Sequence, residues 1–392
     1  MINKRFSRLQ LYKIVFIILF IMIISFIVLN INIINKNINN SSSNNINSNT
    51  NNNNINFNIK YIKRNQKINI NNISKNNLFK PLDTENIINR DCQYVDLVYT
   101  WVNGSDPDLL QLKSEILGDS NFEPHRFRDI GGLKYSLRSV KKYAPWIKNI
   151  YIITANQIPS WFNIENPGNI KSHLPTFNSN SIESNFWNLP EEVSNCFLYL
   201  NDDVFFRQPV RQEDFFDKDF NQVIYQVGER VRSSLEYDKY DAYFKIFINT
   251  NRLLDSLWNE TKERVLPDHG VQVFNRKILI KMAEEFRNPL LETSSNRKRE
   301  SNDIPISFVY NQFVKRYSNY SVGRPRSNLY IGLWNENDNY TRIDRSIELI
   351  NNEKNAITVC VNDGFDFIDD TIDQKLSTLY ESMFPEIGAH EL

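Results

Sequence analysis

Four consecutive apolar residues, Phe197-Leu198-Tyr199-Leu200, run directly into Asn201-Asp202-Asp203. A run that short and apolar reads as a buried strand. In open α/β sheets, ligands collect beyond the carboxyl ends of the strands. Two adjacent carboxylates there are costly unless something compensates their charge. A divalent cation, Mg²⁺ or Mn²⁺, bound together with diphosphate oxygens would do so, because hard cations take oxygen ligands. The plain alternative is a solvated turn with one Asp as a helix cap, and the motif alone does not choose between them.

The surrounding sequence supplies the rest of such a sheet. From Tyr94 to Trp101, Val95, Leu97, Tyr99 and Trp101 alternate with Asp96, Val98 and Thr100, as in a buried strand. Asn103-Gly104-Ser105-Asp106-Pro107 is a turn, with Asp106 as N-cap, Pro107 as first helical residue and Gly118 closing that helix. Leu133, Leu137 and Val140 share a helical face that Pro145 ends, and Ile150–Ala155 reads as a further strand. Later helices are expected over Asp241–Trp258, Asn275–Phe286, Ser307–Tyr317 and Gln374–Met383. Strands alternating with helices predict an α/β domain with a mainly parallel sheet.

The N-terminal part reads differently. Ile14 to Leu29 is apolar except for Ser25, Ile31, Ile33 and Ile34 extend it, and Lys4, Arg5, Arg8 and Lys13 precede it. A membrane span takes ~20 apolar residues, and a cleaved signal peptide is the rival reading. The run leaves through Leu-Asn-Ile-Asn with no small-residue cleavage site, which favours an uncleaved anchor. The expected organisation is a cytosolic tail at 1–13, a transmembrane signal-anchor at 14–34, an Asn-rich low-complexity stem at 35–90 and a catalytic domain at 91–392. The upstream positive charges place the bulk of the chain in the lumen or outside, as a single-pass type II protein, with the Golgi the default compartment. Asn39, Asn40, Asn72, Asn259, Asn319 and Asn339 head N-glycosylation sequons. Three cysteines, Cys92, Cys196 and Cys360, allow at most one bridge and leave its pairing open. With 46 basic and 46 acidic residues, the chain lacks the basic excess of a nucleic-acid binder.

Several side chains are candidates for chemistry. Asp96 lies within a strand and needs a partner, whether protein or ligand. Trp101 can stack a base or sugar ring or fill core. Asn103 and Gly104 offer backbone N–H groups to phosphate. His269, in Leu266-Pro267-Asp268-His269-Gly270, suits a general base or a merely structural loop histidine. Arg297, Lys298 and Arg299, before Asp303, are either solvated surface or a phosphate clamp.

Together these segments resemble the Stealth family, whose blocks occur in the α/β subunit of N-acetylglucosamine-1-phosphotransferase and in bacterial capsular sugar-phosphate transferases. The first block is Asp96 to Pro107. The second runs from Arg126-Phe-Arg-Asp129 through Tyr135-Ser-Leu-Arg-Ser139, Tyr143-Ala-Pro-Trp146, Leu174-Pro-Thr-Phe-Asn-Ser179 and Ile182-Glu-Ser184 to Tyr199-Leu-Asn-Asp-Asp203. The third is the His269 segment through Arg299 and Asp303, and the fourth joins Val359-Cys-Val-Asn-Asp-Gly364 to Tyr380-Glu-Ser-Met-Phe-Pro385. The resemblance implies a Rossmann-like, nucleotide-sugar-transferase-like fold. It also implies transfer of a sugar-1-phosphate from a UDP-sugar such as UDP-GlcNAc to a hydroxyl of a glycan or glycoprotein, releasing UMP. The implied catalytic residues are Asp96, Glu183, His269 and Arg299. Substrate contacts fall on Trp101, Asn103, Gly104, Arg138, Asn201 and Asp303, and metal on Asp202 and Asp203. Arg138, on a predicted helix, has the alternative of buttressing Asp96 or Glu183.

The sequence departs from the family pattern at Ile130-Gly131-Gly132, where many members carry a second acid. It departs again at Asn185, where animal members have His, and in the short loop between Asn163 and Leu174. The large insertions of the animal lysosomal-enzyme transferases are absent between the second and third blocks. A metal-dependent glycosyltransferase and a non-catalytic glycan-binding protein are the alternative readings, and the oligomeric state is open.

Overall fold

The computed structural model describes residues 58–62, 92–118, 128–155, 157–162, 176–334, 339–365, 369–388 and 390–392. They belong to one unit, Ile55–Leu392. The apolar run at 14–34 and the sequons at Asn39, Asn40 and Asn72 lie outside the described residues. Among the described residues no helix is long and apolar enough to cross a membrane.

The strands are β1 (Asn58–Ile62), β2 (Val95–Trp101), β3 (Asn149–Thr154), β4 (Cys196–Asn201), β5 (Val204–Phe206), β6 (Gln222–Ile224), β7 (Gln226–Val231), β8 (Arg264–Pro267), β9 (Gln272–Asn275), β10 (Tyr320–Val322), β11 (Asn328–Trp334) and β12 (Thr358–Gly364). The central sheet has the order β1-β3-β2-β4-β9. Its first four strands run parallel, and β9 is antiparallel to β4. The mainly parallel sheet expected from the alternation of elements is therefore present. β1 lies inside the stretch read from composition as a stem, where Ile-Lys-Tyr-Ile supplies β-formers amid the asparagines.

Both faces of the central sheet are buried, which explains its near-continuous apolar strands. Val98, Phe197, Tyr199 and Phe274 point into one core layer with Ile278, Leu279, Met282 and Phe308 of the helices Arg276–Glu285 and Ile306–Tyr317. Leu97, Tyr99, Leu198, Leu200 and Val273 point the other way, onto Leu133, Leu137 and Val140 of the helix Gly132–Tyr143. The helix Pro107–Leu117 starts and stops as its sequence dictates: Asp106 accepts from the N–H groups of Asp108 and Leu109, and Gly118 caps the end.

Sequence periodicity did not reveal the second sheet, β11-β12-β5. Its strands are short or carry glycines, so no alternation stands out. Ile331, Leu333, Val359 and Val361 build a third core layer with Ile372, Leu376 and Tyr380 of the helix Asp370–Met383. Cys92 and Cys196 are joined by a disulfide at the amino end of the central sheet, and Cys360 is free and buried. A bridge closing so long a loop typically contributes ~2–5 kcal/mol.

Candidate active site

The register places Thr100 of β2 beside Asn201 of β4, so both strands deliver their carboxyl ends to one edge. Asp202 and Asp203 follow there, each keeping a partial opening to solvent. Burial, and then the charges of Asp203 and Asp129, hold the Asp202 carboxyl well above the usual carboxylate range. Burial also raises Asp203, against which the charge of nearby His269 works. Asp203 Oδ2 accepts from Asn362 Nδ2 at 3.3 Å and from the Cys360 thiol at 3.5 Å. Asp203 Oδ1 is buried with no hydrogen-bond partner among the described residues. The pair thus sits beyond a strand end with negative charge that the protein leaves incompletely compensated.

Close approach of the backbone shapes this edge. At Gly132, a Cβ would stand 2.5 Å from the carbonyl oxygen of Asp202. Ile130-Gly131-Gly132, a departure from the family pattern, therefore lets the helix Gly132–Tyr143 abut the acid pair. Asp129, just before it, accepts from Trp101 Nε1 at 3.1 Å and from the Gly131 N–H at 2.8 Å, and burial raises its pKa. Asp129 belongs at this edge, since its charge reaches Asp202. Its place in the linear sequence carries no sign of that role, because the Trp101 and Gly131 contacts form only in the fold.

A second cluster adjoins through Tyr199. The Tyr199 phenol donates to Glu183 Oε1 at 3.1 Å and is itself 2.8 Å from Thr100 Oγ1. Burial pushes the Glu183 carboxyl up to about 7, opposed by the Tyr199 hydrogen bond and the charge of Arg299. Arg299 is exposed, and its Nη2 donates to Ser179 Oγ at 3.0 Å at the start of the helix Ser179–Glu183. His269 is exposed and stands edge-on to Tyr330 with ring centroids 5.2 Å apart.

Four expected roles change. Asp96 lies four residues before Thr100, ~13 Å down the strand from the edge that carries the acid pair. Its carboxylate is fully buried and accepts from Asn149 N, Asn149 Nδ2 and Ser194 N at 3.1, 2.9 and 2.7 Å. It ties the amino end of the sheet together. Trp101 is only 4% exposed, so it offers no face for stacking and instead holds Asp129. Arg138 is spent on Glu391, Glu381 and the Phe384 carbonyl, anchoring the C-terminal segment, so it buttresses neither Asp96 nor Glu183. Asp303 is fully buried and accepts from Asn178, Asn180, Asn296 and the Glu300 N–H. It shapes the loop that carries Arg299.

The remaining residues stay near the edge. Asn103 exchanges two backbone hydrogen bonds of 2.9 Å with the Gln157 amide, fixing the turn that contains Gly104. Asn185 bonds Ser181 O and Ser294 Oγ, a local structural use. Arg126 and the segment from Leu174 to Pro175 lie outside the described residues.

Family models match the chain in three ordered places. Residues 93–120 match Stealth protein conserved region 1, residues 126–224 conserved region 2, and residues 268–316 conserved region 3. The chain belongs to the Stealth family. The three Stealth regions include Trp101, Asp129, Glu183, Tyr199, Asp202, Asp203, His269 and Arg299, so the site is assembled across all of them. Asn362 and Cys360, which hold Asp203, lie beyond the matched regions, within the fourth block of the resemblance.

Among Stealth relatives, an exopolysaccharide phosphotransferase of Streptomyces coelicolor is 35% identical over 232 residues, covering 54% of this chain and 24% of that protein. Another from the same organism is 28% identical, covering 76% of this chain and 57% of that protein. The chain thus spans about a quarter and just over half of these two relatives. The capsular polysaccharide phosphotransferase WcwK of Streptococcus pneumoniae is 28% identical over 345 residues, covering 77% of this chain and 99% of that protein. Among solved structures, the galactosyltransferase LgtC with donor and acceptor sugar analogs has a TM-score of 0.34 at 12% identity, covering 74% of this chain and 96% of that one. That likeness is too slight to carry an argument.

Proposed function

We propose that this Stealth protein transfers a sugar-1-phosphate, GlcNAc-1-phosphate in the first instance, from a UDP-sugar to a hydroxyl of a glycan acceptor, releasing UMP. The observation that carries the reading is the pair Asp202–Asp203 beyond β4, with Asp203 Oδ1 buried and unpartnered among the described residues. Phosphotransferase relatives, one of them covered over 99% of its length, support the same class of reaction.

The donor set fits a Mg²⁺ or Mn²⁺ ion. Among the described residues no group of three His, Cys, Asp or Glu is already gathered for a metal. Two carboxylates destabilised by burial, Asp202 also by the charge of Asp203, nevertheless match the hard oxygen ligands such ions take. Asp202 and Asp203 would hold the ion, which supplies neutralisation of diphosphate charge. The bond from the acceptor oxygen to phosphorus forms as the bond to the UMP oxygen breaks. His269, exposed beside Asp203, takes the acceptor's proton. Glu183, with a pKa of about 7, is the second group able to hold a proton near neutrality. Arg299 faces the transferring phosphoryl oxygens with its charge. Phosphoryl transfer relies mainly on positioning and charge stabilisation, which these side chains provide.

The catalytic domain is assigned to the lumen, with the Golgi as its compartment and the run at 14–34 as its anchor. The Cys92–Cys196 bridge supports an oxidising environment for that domain.

The test uses the full chain, purified in detergent, with Mg²⁺ or Mn²⁺, UDP-GlcNAc labelled in the β-phosphate, and a mannoside. Label in the glycan with release of UMP is the expected result. Release of UDP without label transfer would reassign the chain to glycosyl transfer, and neither product across several donors and acceptors would leave a binding role.

A further inference from the structure

An exposed aromatic ledge leads away from His269. Tyr330, Gly332 and Trp334 alternate along β11 and therefore share one sheet face. Tyr330 is 42% and Trp334 48% exposed, whereas Ile331 and Leu333 point into the core beneath. The Trp334 indole lies over two glycines. A Cβ at Gly332 would come 2.5 Å from its Nε1, and one at Gly364 would strike its Cε3 and Cζ3. The absent side chains make a flat bed for the ring and leave its other face to solvent.

The register fixes where this ledge leads. Tyr330 pairs with Cys360, Gly332 with Asn362 and Trp334 with Gly364 in the parallel β11–β12 ladder. Paired residues in neighbouring strands point to the same side of a sheet. Among the described residues, Cys360 and Asn362 are the side chains that donate to Asp203 Oδ2. The ledge and the acid pair therefore lie on one face of the second sheet. At its inner end the ledge meets His269, edge-on to Tyr330. From Tyr330 to Trp334 is ~13 Å along the strand, room for about two sugar rings.

We propose that the Tyr330–Trp334 ledge is the acceptor subsite, where a pyranose ring of a neutral glycan stacks its apolar C–H face on Trp334. A rigid aromatic plane half exposed to water suits a ligand that is apolar on one side and hydroxylated on its edge. The occupant is the acceptor rather than the nucleotide because the ledge passes the acid pair and ends at His269, the proposed proton acceptor, where the attacking hydroxyl must lie. The proposal rests on the phosphotransfer reading for its direction, and its test is separable from that reading.

Two measurements decide it on the full chain. In the transfer assay with mannotetraose, Trp334→Ala is expected to raise the acceptor KM at least tenfold while the UDP-GlcNAc KM changes less than twofold, and Trp334→Phe is expected to restore most of the acceptor KM. A rise in the donor KM instead, or no change in either, overturns the ledge. Affinity electrophoresis through gels containing mannan or dextran needs no turnover. Retardation of the wild type in at least one gel, lost in Trp334→Ala and kept in Trp334→Phe, supports the ledge even if the transfer assay yields UDP or no product. Equal mobility of wild type and Trp334→Ala in both gels overturns it even if phosphotransfer is established. Circular dichroism melting of each variant identifies a folding failure, and if Trp334→Ala is unfolded, Trp334→Gln takes its place in both measurements.

Discussion

The Tyr199 phenol reaches out of the strand that ends in the acid pair and donates to Glu183 Oε1 at 3.1 Å. One tyrosine thereby senses both carboxylate groups of the site, since the charges of Glu183 and Asp202 each raise its own pKa after burial does. The hydrogen bond stabilises ionised Glu183 and works against the burial that lifts that carboxyl to about 7. Tyr199→Phe should therefore move the acid limb of the kcat/KM–pH profile upward, and Glu183→Gln should remove a limb that belongs to Glu183. A Tyr199→Phe profile superimposable on wild type would show that Glu183 does not control turnover.

The same carboxyl links stability to pH. Its folded pKa of about 7 exceeds the ordinary glutamate value of 4.5, so the folded state binds the extra proton between those values. Stability from this group is present at low pH and is lost as pH rises toward and through about 7. Glu183→Gln should flatten that part of the Tm–pH curve. A curve parallel to wild type from pH 5 to 8 would contradict the assignment.

Gly132 should tolerate no side chain. A Cβ there meets the backbone carbonyl of Asp202 at 2.5 Å, with no flexible side chain to yield. Gly132→Ala is expected to cost ~1–3 kcal/mol of stability as overpacking. It should also lower kcat on the order of 100-fold by shifting Asp202, because a displacement of ~1 Å at a catalytic edge has that effect. Chemical denaturation and initial rates on the folded variant measure the two separately.

Metal dependence has a readout free of turnover. If Asp202 and Asp203 hold the ion, Mn²⁺ should raise the Tm of the wild type, and a chelator should reverse the rise. Asp203→Ala should lose both the shift and ~100- to 1,000-fold in kcat. An Asp203→Ala protein whose Tm still responds to Mn²⁺ as wild type does would place the ion elsewhere.

Arg138 separates architecture from chemistry. Its guanidinium and the Glu391 carboxylate are 3% and 4% exposed and form a bidentate pair at 2.7 Å. Removing one partner of such a buried pair strands the other, so Arg138→Ala should cost ~3–5 kcal/mol. Replacing Arg138 and Glu391 together by Met should recover part of that loss. A neutral Arg138→Ala would mean the C-terminal segment is held by its apolar contacts alone.

Local sequence was enough for the strands and helices whose pattern is local. β2, β3 and β4, the cap at Asp106, and the helices from 242, 276 and 306 all follow from periodicity and end signals within a few residues of where they fall. The acid pair was legible too, because two carboxylates after an apolar strand announce themselves without any partner. What each polar residue does was decided elsewhere. Asp96, Trp101, Arg138 and Asp303 look like site residues in a linear reading, yet each spends its hydrogen bonds on groups that are far away in sequence or that only the folded chain brings into reach. Conversely, Asp129, Tyr199 and Asn362 gain their places only when three elements converge on one sheet edge. Spacing along a chain records periodicity, which fixes faces and ends. It does not record which buried donor meets which buried acceptor, because that pairing is settled by the register between strands and by the docking of one sheet against another.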